Sequence, residues 1–221
     1  MKKASDLIPF ARILQLRLVE LFKDYGIKAS QIQYTLALDA SYDKEIAYTS
    51  AVLYDLRKSR AIKTWNSKTS IFFPYIPSFL YAREAPPLIK LLSKINEEYD
   101  ILLVDAHGRL HPRRAGLATI LGILLQKPAI GIAKSLLAGH VEAGNTISKV
   151  KIGKKVEGFM IKQDGMKYYA SQGNLISLDE ILNFLKLRDY SYPEELKIAD
   201  KLSKSFRMKS QTSGPALSRN F

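Results

Sequence analysis

The sequence predicts an α/β domain built on a mixed sheet, three antiparallel strands followed by parallel ones, with helices on both faces. Three observations carry that expectation. TLALDA, IAYTSAVLYDL and AIKTWNSKTSIFF follow one another with only short polar breaks, which suits antiparallel hairpins. ILLVDA and PAIGIA are short unbroken apolar runs of the kind found in strands covered on both sides. Segments with helical periodicity stand before, between and after these strands.

In chain order, residues 4–25 place Leu7, Phe10, Ile13, Leu14, Arg17, Leu18, Leu21 and Phe22 largely at helical spacing and stop near Gly26, predicting a first amphipathic helix. The three strands follow. After PYIP, Pro86 and Pro87 open an apolar-periodic stretch to about Tyr99, read as a helix with proline at its start. A helix followed by the buried strand ILLVDA implies a crossover connection. Residues 115–126 then read as a helix, PAIGIA as a strand, VEGFMI and KYYAS as a hairpin, and 177–188 and 194–206 as two closing helices. Residues 1–208 are expected to form one domain. Residues 209–221, rich in Ser and basic side chains, read as a flexible tail.

The 34 Lys and Arg residues against 21 Asp and Glu give a formal charge of +13. Such a surface attracts a polyanion, with nucleic acid ahead of an acidic membrane surface. There is no apolar run of about eighteen residues to cross a bilayer, and the basic N-terminus leads into a patterned helix, not a signal-peptide core. The expectation is a soluble, cytoplasmic, monomeric protein. With no cysteine, disulfides, thiolate zinc sites and cysteine nucleophiles are excluded.

Asp39 follows one apolar strand, Asp105 follows another, and Glu84 lies beside Arg83 after the Pro-framed loop PYIP. Carboxylates at neighbouring strand ends can share a hard cation, and phosphodiester hydrolysis needs an activated water and charge stabilisation on two oxygens. Each acid also has a bland role: a turn start for Asp39, a cap for Asp105, a pairing with Arg83 for Glu84. The segment after Asp105, AHG then HPRR, gathers His107, Gly108, His111, Arg113 and Arg114 as donors suited to phosphate or backbone oxygens. His107 and His111 stand four apart across Gly108 and before Pro112, so they do not share a helical face, and hydrogen bonding is favoured over metal ligation. His140 has no charged company and reads as structural. A Tyr between prolines is often a rigid surface turn; on a basic protein beside a magnesium site it could instead enter a duplex.

ALDASY, PYIPSFLYAREAP, DAHGRLHPRRAGLA and PAIGIAKSLLAG resemble, in order and spacing, the signature segments of the endonuclease V family of deoxyinosine-directed repair nucleases. The likeness runs from about residue 5 to 205. It implies an RNase H-like fold, magnesium (with manganese able to substitute) held by Asp39 and Asp105, Glu84 completing the acidic site directly or through water, and Lys134 near the scissile phosphate. It further implies Tyr75, Ile76 and Pro77 as a wedge, and a flipped hypoxanthine among Ser78, Leu80, Ala106, Gly116 and Leu117. The family cuts the second phosphodiester bond 3′ to the lesion, leaving 3′-hydroxyl and 5′-phosphate ends. Ser78, Ala85 and Ala106 stand where the family commonly has Gly, with methyl groups expected near the base pocket. Asn174 follows Gly173 where the family usually has His, with altered metal or pH dependence expected. Three alternatives stand beside this reading: an inosine-specific endoribonuclease, a general RNase H-like structure-directed nuclease, and a non-catalytic nucleic-acid-binding relative.

Overall fold

The computed structural model describes residues 6–163 and 165–212. Its centre is a continuous nine-stranded sheet. Strands β1 (Tyr34–Asp43), β2 (Ile46–Asp55) and β3 (Arg60–Ser70) pair antiparallel, and β4 (Ile101–Val104) and β5 (Ala129–Ala133) continue parallel to β1. Four further strands, β6 (His140–Val141), β7 (Ile147–Ile152), β8 (Lys155–Gln163) and β9 (Met166–Asn174), complete the order β3-β2-β1-β4-β5-β9-β8-β7-β6, with β9 antiparallel to β5. The mixed sheet expected from the sequence is present. The predicted hairpin is β8–β9; β6 and β7 were not foreseen.

Strand alternation sorts the core into two layers. Leu36, Leu38, Leu102 and Val104 face α1 (Ile8–Val19), α2 (Leu80–Leu92) and α3 (Leu117–Leu125). Ala37, Ile101, Leu103, Ile130 and Ile132 face α4 (Leu178–Lys186) and α5 (Glu194–Thr212). Helix α3 is apolar nearly all round because it is enclosed: Ile120 and Leu121 are fully buried, each contributing about 1.5–3 kcal/mol relative to exposure. Ser177 caps α4 by accepting from the Glu180 N–H, and Asp179 and Glu180 sit in its first turn where the helix dipole favours them. Among the described residues no helix is long and apolar enough to cross a membrane.

Two boundaries differ from expectation. Helix α2 begins at Leu80, so Pro86 and Pro87 lie inside it and do not open it. Neither proline has an N–H, and the carbonyls of Ala82 and Arg83 lose their intrahelical partners. Burial of Tyr81, Ala85, Pro87, Leu88 and Leu91 in the layer between sheet and α1 offsets that loss. Helix α5 runs to Thr212, four residues into the segment read as a tail; residues 213–221 lie outside the described residues.

Candidate active site

The site forms at the ends of β4 and β5, against the middle of β1 and beneath α5. Leu38 pairs with Val104, and the Asp105 N–H donates to the Leu38 carbonyl at 3.2 Å, so Asp39, which lies within β1 and does not follow it as expected, stands beside Asp105, which directly follows β4. Both follow the parity of Ala37 and Leu103, which faces α5. From that helix comes an acid not foreseen as a site residue: Asp200 joins Asp39 and Asp105, and one carboxylate oxygen from each lies within 4.8 Å of the others. Ser203, one turn further along α5, donates its hydroxyl to Asp39 Oδ2 at 2.5 Å. Lys134, directly after β5, places Nζ 2.8 Å from Asp105 Oδ2 and 3.9 Å from Asp200 Oδ1.

Glu84 comes from α2 and stands outside that trio. Burial, reinforced by the charges of Asp39 and Asp105 and opposed by the nearby Tyr42 hydroxyl and Arg83, pushes its carboxyl up to about 7. Arg83 does not take up Glu84 as a simple ion pair. It donates to the Phe73 carbonyl at 3.1 Å and stacks 4.7 Å over the Tyr42 ring. Burial also raises the Asp39 carboxyl, with Asp105 and Asp200 adding to it and Ser203 and Lys134 opposing. Burial alone would lower the Lys134 ammonium, but the Asp105 hydrogen bond and the charges of Asp105, Asp200 and Asp39 hold it above its ordinary value. Three converging carboxylates and a fourth forced toward neutrality, balanced by one lysine, suit a hard divalent cation with oxygen ligands.

Beside the acids opens a cavity of about 320 Å³. Its walls include all five residues expected around a flipped base, Ser78, Leu80, Ala106, Gly116 and Leu117, and it reaches Tyr75 on one side and Asp105 and Lys134 on the other. Of the expected wedge, Tyr75 is 67% exposed, Pro77 is exposed, and Ile76 packs partly against the core. Gly116 is required where α3 starts, because a Cβ there would lie 2.2 Å from the His107 carbonyl oxygen. Ser78 adopts φ +64°, the left-handed region that glycine enters freely and a residue with a Cβ resists.

Several expectations are corrected. The donor cluster makes hydrogen bonds within the protein, those of the two histidines to backbone carbonyls. His107 Nε2 meets the Ser135 carbonyl at 2.8 Å, and the Gly108 N–H donates to Ser171 Oγ at 3.0 Å. The Arg113 N–H donates to His111 Nδ1 at 3.1 Å, so Nε2 carries the proton and donates to the Ser78 carbonyl at 3.0 Å. Burial pushes His111 down to about 4, keeping it neutral and internally bonded. Arg113 binds Gln15 and Ser78, and Arg114 binds the buried Glu157 at 2.7 Å and the Ile152 carbonyl. Ala85 faces the core against α1, away from the cavity. Asn174 pairs with Ala129 at the opposite end of β5 from Lys134, about 16 Å along the strand. There it accepts from the Lys23 N–H and donates to the Gly122 carbonyl, so it does not act on the acidic site.

A sheet whose adjacent strands present converging carboxylates and a lysine, beside a cavity of about 320 Å³, has the site of a nuclease of the carboxylate class. A family model for Endonuclease V matches residues 18–201. Curated Endonuclease V proteins are similar over most of both chains: that of Sulfurisphaera tokodaii is 42% identical over 77% of this chain and 81% of its own, and that of Pyrococcus abyssi 40% identical over 76% and 77%. The crystal structure of the Bacillus subtilis Endonuclease_V superimposes with a TM-score of 0.84 at 25% identity, covering 96% of this chain and 95% of its own. The chain belongs to the Endonuclease V family.

Proposed function

We propose that the protein is a magnesium-dependent endonuclease that flips deoxyinosine out of DNA and hydrolyses the second phosphodiester bond on its 3′ side, leaving 3′-hydroxyl and 5′-phosphate ends. The observation that carries this reading is the continuity of the cavity with the acidic trio, since Asp105 and Lys134 form part of the cavity wall. A base held there is tethered to a backbone that must run past Asp39 and Asp200. A Ciona intestinalis Endonuclease V has been crystallised with a 24mer DNA containing an inosine followed by a ribo-adenosine, which supports an inosine-bearing substrate.

Asp39, Asp105 and Asp200 would hold the cation, with Glu84 beside them. A bound magnesium ion supplies charge neutralisation at the attacked phosphate and a more acidic water. Ser203 fixes the Asp39 carboxylate. Lys134 stays protonated at neutral pH and serves as a donor to a phosphate oxygen, not as a base. Tyr75, stiffened by Pro74 and Pro77, fills the gap left in the base stack. Inosine pairs weakly, so its extrusion costs less than that of a well-paired base, and this difference favours the lesion before any contact in the cavity.

Mapping the nick on an end-labelled duplex containing one deoxyinosine, with magnesium, tests the reading. The expected product is one cut, one nucleotide beyond the lesion; the same duplex uncut while an inosine-containing RNA is cleaved would transfer the activity to RNA.

A further inference from the structure

We propose that Gln15, on α1, is a positioning residue for lesion recognition: together with Arg113 and His111 it clamps the left-handed Ser78 at the cavity wall. This rests on the functional reading above. Gln15 is 1% exposed, an unusual degree of burial for a polar side chain, and the other buried residue of α1 is Ala11. Its amide nitrogen donates to the Ala115 carbonyl at 2.6 Å and the Ser78 carbonyl at 3.4 Å, and its oxygen accepts from Arg113 Nε at 2.6 Å. Arg113 continues the clamp, donating from one terminal nitrogen to the Ser78 carbonyl at 2.6 Å and to Ser78 Oγ at 2.9 Å while its guanidinium lies 4.4 Å over the Phe79 ring. With His111, three side chains therefore converge on one carbonyl.

That convergence has a physical purpose. A residue with a Cβ resists the left-handed region, and such a conformation persists only where its surroundings over-determine it. Ser78 lies three residues after Tyr75 and immediately before the turn that enters α2, so its conformation aims the wedge and shapes the cavity wall. Gln15 also bonds Ala115, which lines the same cavity next to Gly116. One amide thus ties the Ser78 loop to the segment entering α3, and α1 becomes part of the recognition apparatus although it contributes no acid to the site.

The test combines Gln15→Leu, which removes every polar contact, with Gln15→Glu, which keeps the size and the Arg113 pairing but cannot donate to the two carbonyls. Each is made with Ser78 and with Ser78→Gly. With Ser78, Gln15→Leu should lower kcat/KM on a deoxyinosine duplex about tenfold, the scale set by the cost of a left-handed non-glycine residue. The loss should fall mainly on KM, and Gln15→Glu should lie between. In the Ser78→Gly background the loss should shrink below about threefold, because glycine needs no clamp to hold that φ. A merely structural Gln15 would cost the same in both backgrounds, and that result overturns the proposal. Hydrogen exchange of residues 74–80 in the free protein decides the clamp without any substrate. Faster exchange there in both Gln15 variants, with β1 and β4 unaffected, is expected; unchanged exchange overturns the clamp. If the unaltered protein cuts nothing while the loop still loosens, the functional reading falls and the clamp stands.

Discussion

Ser203 donates its hydroxyl to Asp39 Oδ2 from a position 164 residues further along the chain. The same oxygen lies 3.0 Å from the Asp200 carbonyl, and Ser41 Oγ donates to the Ser203 carbonyl, so α5 is stitched to β1 at the acidic site. Partners that orient a ligating carboxylate typically govern metal affinity about 10–100-fold when removed. Ser203→Ala should therefore retain the fold, require more magnesium for half-maximal cleavage, and recover most of its rate at high magnesium. A magnesium titration of the cleavage rate checks this; an unchanged titration curve would make Ser203 a packing residue only.

Asp200 contributes one of the three converging carboxylates and also faces Lys134. Asp200→Ala should reduce kcat by at least about a hundredfold, a loss on the scale of removing one charge-stabilising group, while binding to the deoxyinosine duplex persists. Single-turnover cleavage together with a binding titration separates the two.

The metal-free protein carries a stability cost at its own site. Raised carboxyl pKa values favour the protonated folded form, so stability is greatest at low pH for these groups. It declines as pH climbs from the ordinary Glu value of 4.5 through the folded value of about 7 for Glu84, and likewise from 3.8 upward for Asp39. In chelator at neutral pH, Asp39→Asn should raise Tm by roughly 2–4 °C for each kcal/mol relieved. Magnesium should stabilise the unaltered protein and leave the variant unmoved. Thermal melts in both conditions decide it.

His111 works in the opposite pH direction. Its folded value of about 4 lies below the ordinary 6.5, so its contribution is complete above 6.5 and is lost as pH falls toward 4. The ceiling on that loss is about 3 kcal/mol. His111→Gln, which does not titrate, should be less stable than the unaltered protein at neutral pH, with the gap narrowing on acidification. Denaturant melts at the two ends of this window measure it, and a constant gap would mean that protonation of His111 is unrelated to folding.

Tyr75 is exposed at the cavity mouth. Tyr75→Ala should lose preference for deoxyinosine over undamaged duplex about tenfold or more, the worth of a base–aromatic stack, while its salt-dependent affinity for undamaged DNA stays unchanged. Competition binding across a salt series checks both.

Part of this site was legible because apolar strands are legible. The apolar runs before Asp39 and Asp105 mark two neighbouring strands, which brings those acids together even though β1 continues past Asp39 to Asp43; Lys134 and the cavity residues were expected only from the resemblance to the family. Asp200 was hidden because IADKLSKSF reads as a charged, solvated helix. The available signal was the buried stripe Leu196, Ala199 and Ser203 on the same helix, whose small residues let α5 approach β1 closely. The internal partners of Arg113, Arg114 and His111 were not legible because the acceptors, Gln15, Ser78 and Glu157, are brought in from distant elements. Pro86 and Pro87 misplaced the start of α2 because local rules put proline at a helix start, and here tertiary packing overrides them.

The most direct measurement is single-turnover cleavage of a duplex bearing one deoxyinosine by the unaltered protein and by Asp39→Ala, with duplex binding followed in parallel. A single magnesium-dependent nick one nucleotide beyond the lesion, absent in Asp39→Ala although binding is retained, is the predicted result. Equal cutting of the undamaged duplex, or a nick that survives loss of Asp39, would contradict the account.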